Sequence, residues 1–278
     1  MVSTFSILAC VFTLAVSLIL PVVLLMVLAA KNKREGMTSA WLLGAAGFFV
    51  PQVLIRRPIL NTLAVTPGFT AFSQNHIFLY SLSLAFTAGL FELAGRFAAA
   101  KLMNRKSLTW KRSLAAGLGH GGIEAILIIG MTYINNLVTM LMINSGSFET
   151  LITQTAAAGG DVSQLRAVQT AILTTSPFLF LLAGFERILT MIAQAAMSMV
   201  VCWGVHVKKA GKAGLLCLLF HTLIDTSAGI SLLATQQGGN VLSQTTAYVI
   251  VYAILILAAG LSLYVLREIR RRWMAEER

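Results

Sequence analysis

Apolar residues run through this chain in long stretches, and short polar clusters punctuate them. A helix needs about 20 mainly apolar residues to cross the hydrocarbon core of a bilayer. Seven stretches meet that need: 5–30, 38–55, 76–100, 113–143, 174–207, 213–234 and 246–266. The pattern predicts an all-α membrane protein, a seven-transmembrane helix bundle forming one polytopic domain over 1–278. Between the second and third stretches, 56–75 is apolar but broken by Pro58, Pro67 and Gly68. It is too short and interrupted to span, and reads as an interfacial or re-entrant segment. The polar segment 144–172 reads as an outer loop with an interfacial helix, and 267–278 as a basic tail.

Composition narrows the class. Charged residues make up 11% of the chain and hydrophobic ones 57%, against roughly 25% charged in a soluble domain. No polar stretch is long enough to bury a core of its own. The N-terminal stretch has no basic leader and is far longer than the apolar part of a cleavable signal, so it reads as a span. Cys10, Cys202 and Cys217 fall in different apolar runs, which argues against a disulfide framework or a zinc–thiolate site.

The net charge of +11 would suggest nucleic acid in a soluble protein. Here the bases flank apolar spans, so they act as topology signals and no nucleic-acid partner is expected. Sixteen of the 21 lysines and arginines gather after alternate spans, at 31–34, 101–112, 208–212 and 267–278. The positive-inside rule then places the N-terminus outside and the C-terminus in the cytoplasm of a cell membrane.

Three spans carry ionisable residues one turn apart: Glu92 with Arg96, His120 with Glu124, and His221 with Asp225. Residues four apart lie on one helix face. Counted from the nearest cytoplasmic base, Glu92, His120 and His221 all lie roughly 12–14 Å in. One carboxylate and two imidazoles at a shared depth make a candidate site, because such groups are costly in hydrocarbon. Four glycines around His120 (Gly117, Gly119, Gly121 and Gly122) let neighbouring helices approach. His76 and His206 sit at span ends and read as interfacial, and Glu186 with Arg187 as a structural or gating ion pair nearer the outer face.

A carboxylate beside an imidazole in a partly dry cavity suits activation of a water: the acid takes a proton, and the histidines orient the water or stabilise an oxyanion. Alternatively His120, His221 and Glu124 are a first shell for catalytic zinc with one position open. Both routes lead to hydrolysis, and the metal-free and zinc-assisted versions stay open at this point.

The motif Glu92-x-x-x-Arg96, then His120, then His221-x-x-x-Asp225, resembles the type II CAAX prenyl endopeptidase and bacteriocin-processing superfamily. The string Gly119-His-Gly-Gly-Ile-Glu124 is most similar to its YhfC branch, described as intramembrane proteases. The resemblance implies that Glu92 activates water with His120 as partner, that His221 and Asp225 stabilise the oxyanion, and that Arg96 orients Glu92. Two positions depart from the superfamily's pattern. Phe91 stands where it has a first glutamate, and Ala116 where it has a phenylalanine. The expected activity is therefore endoproteolysis of a membrane-embedded or lipidated peptide, within membrane lipid. The alternatives are a proton-coupled transporter, since buried acids and histidines also relay protons, and a non-catalytic scaffold.

Overall fold

In the computed structural model, 1–32, 35–104, 108–236 and 243–276 are described, and among these residues the chain is helical with no strand. Of the basic residues counted for topology, Lys33, Arg34, Arg105, Lys106 and Arg278 lie outside the described residues.

Ten helices follow in order: α1 (Thr4–Lys31), α2 (Met37–Ala64), α3 (Pro67–Asn75), α4 (Ile77–Asn104), α5 (Trp110–Ser145), α6 (Ser147–Ala157), α7 (Ser163–Thr174), α8 (Pro177–His206), α9 (Ala210–Gln236) and α10 (Gln244–Glu276). Six of them, α1, α2, α4, α5, α8 and α10, are long and apolar enough to cross a membrane. The remaining predicted span, 213–234, falls on α9.

Local chemistry sets the boundaries. The hydroxyl of Ser3 caps α1 by accepting from the Ser6 amide at 3.0 Å. Gly146, at φ +80°, takes the left-handed turn that separates α5 from α6. Proline opens α3 and α8, where a missing N–H costs nothing.

Two boundaries differ from the sequence pattern. α2 does not end at Ile55; it continues through Arg56-Arg57-Pro58 to Ala64. Its turns widen to π geometry over Phe49–Arg56, a stretch that contains Pro51 and is closely followed by Pro58, neither of which can donate to the helix. The predicted outer loop is mostly the two helices α6 and α7. Similar widened turns occur at Ala15–Ile19 and Ala125–Gly130.

The chain divides into two compact units, 1–22 with 125–188 and 23–124 with 189–278. The first has a core of Ala9, Cys10, Tyr133, Met140, Ile172 and Phe180. There the Thr13 hydroxyl donates to the Phe180 carbonyl at 2.6 Å, and Arg187 pairs with Glu186. On its exposed helices Arg166 bonds Glu149 at 2.7 Å and holds that carboxyl below the usual carboxylate range.

The second unit holds the candidate site. Its larger core centres on Met37, Met103, Met199, Cys217 and Trp273. Here α2 packs on α5 and α4, and α4 packs on α9. The α2–α5 seam is made by glycine. A Cβ on Gly44 would overlap the Ala116 carbonyl, and one on Gly119 the Trp41 carbonyl. Small residues at such a crossing let two backbones touch.

Candidate active site

Glu92 lies in the second unit, on the buried face of α4. It is 4% exposed, Arg96 3%, His221 2% and His120 1%, so each charge and ring nitrogen must find its partner inside the protein. His120 (on α5) and His221 (on α9) both aim Nε2 at one oxygen of Glu92, Oε2, at 3.0 and 2.8 Å. Arg96 donates Nη2 to the same oxygen at 3.0 Å. The other oxygen, Oε1, accepts the amide of Gln52 at 2.9 Å.

The helices are shaped to hold this cluster. Phe48 sets its ring edge-on to His120, with centroids 5.4 Å apart. Gly89 makes room for the other imidazole: a Cβ there would lie 3.3 Å from His221 Nδ1. That nitrogen in turn faces Asp225 Oδ2 at 3.5 Å, and Asp225 is 40% exposed. The widened turn of α2 delivers Gln52, whose side-chain oxygen accepts from Arg56 Nη1 at 3.2 Å. Arg56 also donates to the Leu84 carbonyl at 2.7 Å and to the Thr87 hydroxyl, tying α2 to α4.

Gln194, on α8, joins the last group. Its Nε2 donates to Glu124 at 2.6 Å and lies 3.4 Å from Glu92 Oε2, while its oxygen accepts from Arg96. Thus Glu92, Arg96, His120 and His221 meet directly, Asp225 joins through His221, and Glu124 joins through Gln194. The carboxylate between the two imidazoles is Glu92, not Glu124. Gln52, Gln194 and Arg56 are absent from the sequence-based set. Arg56 reads in the sequence as the end of a span, because Arg57 and Pro58 follow it. The other two are neutral amides within apolar runs.

The other two histidines, His76 and His206, lie apart from this cluster. His76 is exposed and leans on Phe72. His206 is exposed, stacks on Trp273 at 5.0 Å and meets Glu276 at 2.9 Å. Among the described residues no three histidine, cysteine or acidic side chains stand as a ready cage for a metal ion. His120 and His221 are instead each hydrogen-bonded to Glu92. Three buried nitrogens of the cluster, His120 Nδ1 and Nε and Nη1 of Arg96, have no hydrogen-bond partner, and His221 Nδ1 has the 3.5 Å approach of Asp225 in place of one.

Residues 16–251 match the family model described as YhfC intramembrane metalloprotease. The chain is 30% identical over 251 residues to the uncharacterized membrane protein YhfC of Bacillus subtilis (strain 168), covering 90% of this chain and 91% of that one. No solved structure matches.

Proposed function

Because the chain belongs to the YhfC family, a family of multi-pass membrane proteins described as intramembrane metalloproteases, we propose that it is an endopeptidase working on the Glu92, His120 and His221 cluster. Its substrate is a membrane-embedded or lipidated peptide. The reaction is hydrolysis of a peptide bond by a water activated in the cytoplasmic half of the membrane. Seven spans with an outer N-terminus belong to the same reading.

One observation carries the proposal: a carboxylate and two imidazoles from three helices meet at a single buried oxygen. Hydrophobic packing does not require that convergence. Burying these groups is costly unless they act together.

The donors at that point suit a divalent metal such as zinc. Two imidazole Nε2 atoms and a carboxylate oxygen are its usual catalytic ligands, and Asp225 beside His221 Nδ1 is the outer carboxylate such a histidine favours. His120, His221 and Glu92 would hold the ion, which when bound supplies a Lewis acid and a water that ionises near neutral pH. The protons now shared between Glu92 and the rings would have to leave first. The remaining residues act whether or not a metal is present. Arg96 and Gln52 fix the Glu92 carboxylate, and Asp225 fixes the His221 ring.

The test is cleavage of fluorophore-labelled casein by the purified protein in dodecyl maltoside micelles. His120→Ala and His221→Ala should each lower the rate by at least about 100-fold, the range of general acid–base groups, with elution as a folded species unchanged. Cleavage at the wild-type rate in both variants would refute the proposal. A second expected outcome needs no substrate. Zinc added to the wild-type protein in weak buffer should release protons, and the His120→Ala/His221→Ala variant should release none.

A further inference from the structure

Away from the Glu92 cluster, α8, α9 and α10 enclose a cleft of about 210 Å³ within the second unit. Its rim carries Leu216 and Leu261, both exposed, and its floor Met197, Cys217 and Ser262, all buried. The wall is almost wholly apolar, and apolar cavities of roughly 150 Å³ already take up a benzene-sized guest. A hydrocarbon chain fits such a wall, and the rim opens on the apolar surface of α9 and α10.

One polar group on the wall lacks a partner. A helical serine usually turns its hydroxyl to a carbonyl one turn back. Ser262 is 1% exposed, yet its hydroxyl has no hydrogen-bond partner among the described residues, and burying it so is costly. The ester carbonyl at the head of an acyl chain is the kind of acceptor it lacks.

Charge marks one end of the cleft. Trp203 and His206 pack on Trp273, which brings the last turns of α8 and α10 together, and α9 starts four residues after α8 ends. Over 206–212 and 267–276 there are seven lysines and arginines against two glutamates, Glu268 and Glu276. Lys212 lies one turn from Leu216 and Arg272 two turns from Val265, on the helix faces that line the cleft. Both are exposed, Arg272 bonding Glu268 through Nε at 2.8 Å. Long basic side chains lay their stems on apolar surface and reach a charged head group beyond it.

We propose that this cleft binds an acyl chain of an anionic glycerophospholipid, with the ester carbonyl on Ser262 and the phosphate on Lys212 and Arg272. Phe220, on the same wall, precedes His221, so the bound chain steadies the turn of α9 that presents this imidazole to Glu92. Binding does not depend on the endopeptidase reading.

The test is native mass spectrometry of the full-length protein released from dodecyl maltoside, titrated with dioleoylphosphatidylglycerol or dioleoylphosphatidylcholine. The wild type should bind phosphatidylglycerol at least about tenfold more tightly than phosphatidylcholine, and Lys212→Gln/Arg272→Gln should remove that preference. Lys208→Gln/Arg267→Gln removes equal charge from positions off the cleft's faces and should keep it. Ser262→Ala should weaken both lipids by about threefold to tenfold, the range of one hydrogen bond, with the preference intact. Equal affinity of the wild type for the two lipids overturns the proposal. So does an equal loss in the two charge variants, because the basic ends would then attract anionic lipid without a site. Wild-type affinity in Ser262→Ala overturns the seating of the chain in the cleft.

Discussion

Replacing Glu92 with alanine is expected to cost about 3–5 kcal/mol of stability, the usual effect of removing one member of a buried ion pair, and to abolish cleavage. The loss comes from what remains. Arg96 is 3% exposed and keeps its charge with its main partner gone, and the two imidazoles lose their shared acceptor. An Arg96→Leu change made in the Glu92→Ala background should recover part of the loss, because the orphaned charge leaves too. The double variant should therefore be more stable than Glu92→Ala alone. Unfolding in dodecyl maltoside against rising sodium dodecyl sulfate measures all three proteins on one scale. Equal losses in the single and double variants would mean that Arg96 is neutralised elsewhere, and the hub role of Glu92 would fall.

Charge makes half of this site visible in the sequence. Glu92, His120 and His221 stand out because ionisable residues are rare in apolar runs, and equal counting distance from the basic residues flanking their spans puts them at one level. The other half carries no such mark. Gln194 lies 14 residues before Lys208, roughly 21 Å by the same rise, so counting puts it at a different depth from Glu92. Yet it touches Glu92, Arg96 and Glu124. Gln52 reaches Glu92 from the widened turns of α2, which contain Pro51 and run up to Pro58, and the proline spacing suggests a break there rather than a continued helix. Helix positions were legible for the same reason as the charges: long apolar runs leave the backbone no partner but itself. Where polar residues interrupt, as at Arg56-Arg57-Pro58, composition indicates an end while the backbone continues.

Gly119→Val should damage the site without touching an ionisable group. The Cβ at position 119 would overlap the Trp41 carbonyl, and Gly44 makes the reciprocal approach to Ala116. The obstacle is backbone on both sides, so no side chain can rotate away and α2 and α5 must part. Overpacking of this kind costs about 1–3 kcal/mol, occasionally more. The functional loss should exceed the structural one, because His120 is the next residue along. It would move away from Glu92, which is held by α4 and not by α5. A displacement near 1 Å at a reacting group can cost about 100-fold in rate, so casein cleavage should fall by that factor even in molecules that remain folded. Gly211→Ala is the matched control: nothing lies within 4 Å of the added methyl, and it should raise helix stability by roughly 0.5–1 kcal/mol. If Gly119→Val cleaves casein as fast as Gly211→Ala, the α2–α5 seam does not set the distance between His120 and Glu92.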